Sequence, residues 1–327
     1  MKPLIYAKPK PHSKIYEEDR LRKSIKGSLE AIKLEYTTSV FDDYDLVHFI
    51  NIHNTSKVKL AKESKLPIII NALYCENIHK SAIVQFKKDE LKLKGKYRRC
   101  LNLADVVLVP GDEAKKFLIS EKVTSKIIVF KPPVNLKHFK MQDEADRNLF
   151  FRYFTEREGV QYVLSIGDYD NEIEMKNLID VAHLCQNIKF YFFGANYSLW
   201  SNKELDDIPS NVVLSDLVES DVFRSALMNS QVLLVLDPKK KEAINVVEAM
   251  AAKVQVMSFN DPHDESYLKN GENAYLCNGA YDLAKCLESY LKGKLKPTIE
   301  QAYKLACEHD LENSGKRLLK IYESLAK

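Results

Sequence analysis

The stretch from Gln231 to Phe259, QVLLVLDPKKKEAINVVEAMAAKVQVMSF, is the most informative part of this 327-residue chain for its fold. The apolar runs Gln231–Leu236 and Val254–Phe259 predict strands, and Ala243–Ala252 between them predicts a helix. Strands that are apolar on both faces and alternate with helices are typical of parallel sheets covered by helices. The stretch therefore predicts an α/β fold.

The same alternation extends over the whole chain. In the first half the predicted strands are Pro3–Ala7, Leu46–Ile50, Pro67–Ala72, Asp105–Pro110 and Lys126–Phe130, and the predicted helices are Glu17–Leu34, Ser56–Lys65, Ser81–Ala104 and Glu113–Glu121. In the second half the further strands are Tyr162–Ile166, Ile188–Phe193, Asn211–Leu214 and Ala274–Cys277, and the further helices are Met175–Cys185, Ser220–Met228, Tyr281–Leu291 and Thr298–Ala326. Pro132 and Pro133 interrupt the pattern, and a charged, turn-rich stretch follows to about Asp146. We expect two doubly wound domains, residues 1–140 and 141–297, with a ligand at the carboxyl ends of strands in the cleft between them.

Composition excludes several classes of protein. No apolar run approaches the roughly 18 to 20 residues of a membrane span, and the N-terminus lacks a signal-peptide core, so we expect a cytoplasmic protein. The six cysteines form no CxxC pair and the eight histidines no HxxxH or HxH, which predicts reduced thiols and no metal site. Glycine is scarce: 10 residues are about 3% of the chain, against a usual share of about 7%. Any function that needs several glycine-lined phosphate loops must use very few glycines.

Positive charge is concentrated in the first half of the chain. Residues 1–140 carry 28 Lys and Arg against 16 Asp and Glu, whereas the remainder carries 21 against 30. Within the predicted helix Ser81–Ala104 there are seven cations in thirteen residues, namely Lys87, Lys88, Lys92, Lys94, Lys96, Arg98 and Arg99. These could be a solvated helix face, a surface for anionic lipid, or a nucleic-acid site. Since no nucleic-acid-binding module is visible, we expect no nucleic-acid partner and favour the anionic membrane surface.

Several motifs in order along the chain resemble those of family 4 glycosyltransferases, which have the GT-B fold. The Glu248-Ala249-Met250 helix is followed by a strand and then by the turn Asn270-Gly271-Glu272-Asn273, where the family has an acidic residue, Gly, any residue and Asn. The upstream matches are Ala104–Pro110, Val134-Asn135 with Phe139, and Val163–Gly167. Together they cover about residues 45–292, and they are most similar to the short bacterial branch that adds a second sugar to glucosyl-diacylglycerol.

The resemblance implies two Rossmann-like domains facing a cleft, with a C-terminal segment, 298–327, packing back across it. It implies retaining, metal-independent transfer of a hexose from a nucleotide sugar of the UDP-hexose type, without a further cofactor. Glu248 would then bind the ribose hydroxyls and Glu242 would lie near the sugar as the candidate catalytic carboxylate. Lys176 is the nearest basic residue for the diphosphate, and the strand-ending Gly167 and Gly194 would allow the donor to approach or simply permit tight turns. The lipid acceptor would place the protein on the inner face of the cell membrane.

This sequence departs from the family pattern at the features that touch the donor phosphates. The family has an acid eight residues before the Glu248 position, where this chain has Lys240. Glu172 and Ile173 stand where the family has a basic pair, and Glu174 adds another acid beside them. Glycine is missing from the N-terminal loop, Lys10–Lys23, and the family's histidine after the strand Pro67–Ala72 is missing too. Two hypotheses therefore stay open: an active glycosyltransferase acting on a membrane glycolipid or other glycan, and an inactive pseudo-glycosyltransferase that is a binding or scaffolding partner of an active one.

Overall fold

The computed structural model describes residues 1–7, 17–51, 55–74, 84–87, 90–140, 143–195, 208–240, 243–261 and 266–325. The chain divides into two compact units. The first unit contains the described residues up to Asn135 together with those from Glu308 onwards, and the second unit contains Leu136–Cys307. Each unit has its own parallel sheet and its own apolar core, which confirms the prediction of two Rossmann-like α/β halves.

The first unit is built on a five-stranded parallel sheet of order β1-β2-β3-β6-β7. Its strands are β1 (Pro3–Tyr6), β2 (Leu46–Phe49), β3 (Ile68–Asn71), β6 (Val106–Val109) and β7 (Lys126–Val129), and β4 (Val84–Lys87) and β5 (Glu90–Leu93) form a separate ribbon. The helices are α1 (Glu17–Ala31), α2 (Thr55–Glu63), α3 (Gly95–Leu101) and α4 (Asp112–Ser120). Thr37 pairs with the free side of β1, where its N–H donates to the carbonyl of Pro3 over 3.0 Å. The chain therefore reverses its winding direction at β1, as in a doubly wound sheet.

The cation-rich segment is not the long helix that we predicted over Ser81–Ala104. Residues 84–87 and 90–93 form the antiparallel ribbon β4–β5, with Val84 opposite Leu93 and Lys87 opposite Glu90, and residues 81–83, 88 and 89 of the predicted helix lie outside the described residues. The alternation of Leu91 and Leu93 with Glu90 and Lys92 has the period of a strand, and Leu93 is buried. Within the described part of this segment, only Gly95–Leu101 is helical, as α3.

The second unit is a six-stranded parallel sheet of order β10-β9-β8-β11-β12-β13. Its strands are β8 (Tyr162–Asp168), β9 (Lys189–Ala195), β10 (Val212–Asp216), β11 (Val232–Val235), β12 (Gln255–Phe259) and β13 (Tyr275–Cys277). Its helices are α5 (Glu144–Arg147), α6 (Leu149–Tyr153), α7 (Glu172–Leu184), α8 (Ser220–Asn229), α9 (Ile244–Ala251), α10 (Ala280–Leu291) and α11 (Ile299–Glu308). The first strand, β8, lies in the middle, with β9 on one side and β11 on the other. The winding thus reverses between β8 and β11, which is where α/β sheets usually bind ligands.

The C-terminal helix predicted over Thr298–Ala326 is two helices, α11 and then α12 (Leu311–Glu323). Asp310 interrupts the helix because its carboxylate accepts the N–H of Asn313 over 2.7 Å and so begins a new helix. Within the first unit α12 packs against α1. We did not predict α5 and α6, which lie between the end of the turn-rich stretch and β8. Among the described residues, no helix is long and apolar enough to cross a membrane.

Candidate functional site

The candidate site lies at the carboxyl ends of β8 and β11 in the second unit. After β8 the chain turns through Asp168–Asn171 into α7, and after β11 it passes through Asp237 and a short 3-10 helix, Pro238–Lys240, towards α9. These two connections flank the point where the winding of the sheet reverses. Ligands of open parallel sheets bind in the crevice at this point, so the side chains of the two connections are the first candidates for ligand contact.

Asn171 and Asp237 join the two connections. The Asn171 side chain caps α7, because its Oδ1 accepts the N–H of Ile173 over 3.1 Å. Its Nδ2 donates to Oδ2 of Asp237 over 3.0 Å, and both side chains are almost completely buried. Oδ1 of Asp237 accepts the N–H of Lys239 over 2.9 Å. A buried carboxylate needs such donors, and here they fix the 3-10 helix relative to the start of α7.

An ion pair between a buried acid and a half-buried lysine lies beside this network. Nζ of Lys240 lies 2.9 Å from Oε1 of Glu174, and the two side chains are 14% and 2% exposed. The other oxygen of Glu174 accepts the N–H of Asp168 over 2.9 Å. Burial raises the pKa of Glu174, while Lys240 and the Asp168 N–H act in the opposite direction. The pair links α7 to Lys240, which stands at the position where the resembled family has an acid.

The two candidate glycines make room for protein side chains. A Cβ on Gly167 would lie 2.4 Å from Oε2 of Glu174, so the carboxylate occupies the space that a side chain would need. A Cβ on Gly194 would lie 2.5 Å from Cε2 of Tyr169, whose hydroxyl donates to the carbonyl of Ser215 over 2.8 Å. A contact of either glycine with the nucleotide donor stays a prediction.

Glu248 lies on α9 and is 8% exposed. A small cavity of about the size of one water molecule lies beside the start of the same helix. It is lined by residues of β8, β11 and α9 together with both members of the ion pair: Ile166, Glu174, Leu233–Leu236, Lys240, Ala243, Asn245 and Val246. Ala243, the N-cap of α9, offers no side-chain hydrogen bond to the first turn.

Two further residues, Lys176 and Glu242, were predicted to contact the donor. Lys176 is exposed on α7, as are Glu172 and Ile173. Glu242 lies outside the described residues. Among the described residues, no group of three or more His, Cys, Asp or Glu is arranged to hold a metal ion.

Sequence reasoning did not identify Asn171 and Asp237, or the contact between Glu174 and Lys240. Asp237 directly follows a predicted strand, and Glu174 directly precedes a predicted helix. Lys240 stands where the resembled family has an acid. Their pairing depends on β8 and β11 being neighbours, which the order of elements along the chain does not reveal.

The predicted membrane cations that the structure describes lie on the β4–β5 ribbon, on α3 or directly before α3. Lys88 lies outside the described residues, and Lys87 is on β4. Lys92 is half-exposed, with its Nζ 3.7 Å from Glu121, and Lys94 is the N-cap of α3. Lys96 and Arg99 are exposed on α3, whereas Arg98 is half-buried.

Comparison with known proteins adds evidence over the whole chain. No family model matches the sequence. The processive diacylglycerol alpha-glucosyltransferase of Acholeplasma laidlawii is 23% identical over 333 residues, which cover 100% of this chain and 99% of that protein.

Solved structures match the fold at lower sequence identity. HepE of Anabaena, solved in complex with UDP-glucose, superposes with a TM-score of 0.72 at 12% identity, covering 99% of this chain and 100% of that one. A glycosyltransferase from Rickettsia africae superposes with a TM-score of 0.68 at 12% identity, covering 99% and 98%. The chain thus has the GT-B fold and is similar over its full length to a diacylglycerol alpha-glucosyltransferase.

Proposed function

We propose that this protein is a glycosyltransferase that moves a hexose from a nucleoside diphosphate sugar to a glycolipid acceptor at a membrane surface. The observation that carries the proposal is the full-length similarity to a diacylglycerol glucosyltransferase, since a likeness of fold alone is compatible with many reactions. A structure with the same fold binds UDP-glucose, which supports a UDP-hexose as the donor.

The geometry of the second unit supports a donor site at the carboxyl ends of β8 and β11. Glu248 lies on the helix that follows β11, and a carboxylate can accept hydrogen bonds from both hydroxyls of a ribose. Binding of the sugar by Glu242 and contact of Lys176 with the diphosphate belong to the same proposal. In this reaction the diphosphate leaves with the electron pair of the glycosidic bond, and nearby cations and helix N-termini stabilise that developing charge.

The acceptor side of the proposal rests on the first unit. Lys96 and Arg99, which are exposed on α3, and the half-exposed Lys92 on β5 would attract the protein to anionic lipid, at about 1 kcal/mol for each cation near the surface. The acceptor would then be presented from the bilayer itself.

The test is a titration followed by a transfer assay. Calorimetry with several nucleotide sugars should show binding of a UDP-hexose to the wild-type protein. Radiolabelled donor with vesicles containing diacylglycerol or its glucosylated form should then give labelled glycolipid. Glu248→Ala should abolish the transfer, whereas Glu300→Ala should leave it unchanged, because Glu300 is 76% exposed and pairs with the half-exposed Lys253 over 3.5 Å.

The outcomes separate the two hypotheses. No binding at millimolar donor would reject the transferase. Labelled product that disappears in Glu248→Ala would reject the pseudo-glycosyltransferase.

A further inference from the structure

Lys240 has a fixed backbone at the edge of the candidate site. Its N–H donates to the carbonyl of Asp237 over 2.9 Å, and the Asp237 side chain is itself held by Asn171 and the N–H of Lys239. These hydrogen bonds therefore hold the backbone of Lys240 in one position at the carboxyl ends of β8 and β11.

The ion pair of Lys240 with Glu174 is not explained by stability alone. Removing two charges from water costs several kcal/mol for each ion, and apolar replacements of a buried pair are often neutral or stabilising. Glu174 is 2% exposed, and it occupies the space above Gly167. One effect of this arrangement is to hold an ammonium group in a defined position next to the cavity at the start of α9.

The surroundings of this ammonium group are rich in acids. Asp168, Asp170 and Asp237 lie on the two connections that form the site, and Glu172 and Glu174 lie in the first turn of α7. A diphosphate at this edge of the sheet needs a cation to offset them, because like charges at short range repel strongly in a poorly solvated site. Lys176 is exposed on α7 and Lys239 is exposed in the 3-10 helix, whereas the Lys240 side chain is only 14% exposed.

We propose that Lys240 binds the diphosphate of the nucleotide donor and that Glu174 is a positioning residue that holds its ammonium group before the donor arrives. This inference rests on the proposed function and assigns the phosphate contact within it. A lysine ammonium is a common phosphate ligand, and the two phosphoryl groups of the donor offer it more acceptor oxygens than the single carboxylate does.

The experiment compares UDP with uridine in calorimetric titrations, because the two ligands differ only in the diphosphate. Lys240→Met alone would leave Glu174 buried without its partner, so the main variant is Lys240→Met/Glu174→Gln, which removes both charges. It should weaken UDP binding about tenfold and leave uridine binding unchanged. Glu174→Gln alone should weaken UDP binding by less than the double variant and leave uridine binding unchanged, since Lys240 keeps its charge but loses the carboxylate that positions it.

The matched control is Lys292→Met/Glu288→Gln, which removes an exposed pair of 2.7 Å on α10. It should change neither affinity.

Each outcome decides a separate point. If Lys240→Met/Glu174→Gln binds UDP with wild-type affinity, or loses UDP and uridine equally, the pair is structural and the inference is wrong. If the wild-type protein binds UDP but transfers no sugar, the proposed function fails while the role of Lys240 stands on the binding data. If the wild-type protein binds neither ligand, both fail.

Discussion

The hydroxyl of Tyr322 lies 2.7 Å from Nδ1 of His48, and the two side chains are completely buried in the first unit. Nε2 of the same imidazole lies 2.9 Å from Oδ1 of Asn71. Because Oδ1 can only accept, Nε2 carries the hydrogen, and Nδ1 accepts from the tyrosine. The hydrogen bond between Tyr322 and His48 links the C-terminal helix α12 to strand β2.

Folding stability should decrease as the pH falls from about 6.5 to about 4. Burial lowers the pKa of His48 to about 4, and burial together with Lys131 and Arg317 lowers the pKa of His309 to about 4 as well. Between these values and about 6.5 the unfolded chain binds more protons, so stability is present above pH 6.5 and is lost on acidification. For His48 the loss amounts to about 3 kcal/mol.

Urea unfolding at pH 7.5, 6.0 and 5.0 measures this effect. The raised pKa of Glu174 acts in the opposite direction, so the informative comparison is with His48→Gln, in which the decrease should be smaller. If the free energy of unfolding decreases equally with falling pH in both proteins, His48 does not titrate in this range.

Tyr322→Phe should destabilise the protein by about 1 to 3 kcal/mol, because it leaves a buried nitrogen of His48 without a partner. Tyr281→Phe is the matched control, since the ring of Tyr281 is 68% exposed and its hydroxyl should contribute less than about 0.5 kcal/mol. Urea unfolding at pH 7.5 gives both values. A loss for Tyr322→Phe no larger than that of the control would contradict the hydrogen bond.

The sequence was sufficient to predict the sheets because most residues of their strands are apolar on both faces. Ile68–Asn71 and Val232–Val235 are buried throughout, as such runs require. The segment Ser81–Ala104 was predicted wrongly because charged residues at many positions obscured a period of two. The break in the C-terminal helix depends on one capping residue, Asp310, inside an otherwise helical pattern.

The candidate site was predictable only in part. Glu248 follows from a motif, since it lies within one continuous helix. Glu174 and Lys240 are 66 positions apart, and their contact exists because β8 and β11 are neighbours. Sequence could show that Lys240 was unusual, but the structure was needed to show which acid it meets.

Gly167→Ala should destabilise the second unit and displace the Glu174 carboxylate, since the new methyl group would lie 2.4 Å from Oε2. We expect a cost of about 1 to 3 kcal/mol. The cost should be smaller in a Glu174→Ala background, where the clash is removed, and a double-mutant cycle measures that difference. Gly95→Ala is the control, because nothing lies within 4 Å of its added methyl group. Strict additivity of Gly167→Ala and Glu174→Ala would contradict the contact.

Lys96→Glu/Arg99→Glu should weaken binding to anionic vesicles. Both side chains are exposed on α3, and reversing two charges changes the net charge of this surface by four units. Co-sedimentation with vesicles containing about one-third phosphatidylglycerol should show a loss of about tenfold or more at low salt, because each cation near the surface contributes about 1 kcal/mol. Lys294→Glu/Lys296→Glu makes the same change in charge at exposed positions of the second unit and should have a smaller effect. If both double variants lose binding equally, the attraction comes from net charge and not from the α3 surface. If neither loses binding, the membrane does not contact these cations, and the glycolipid acceptor must reach the protein by another surface.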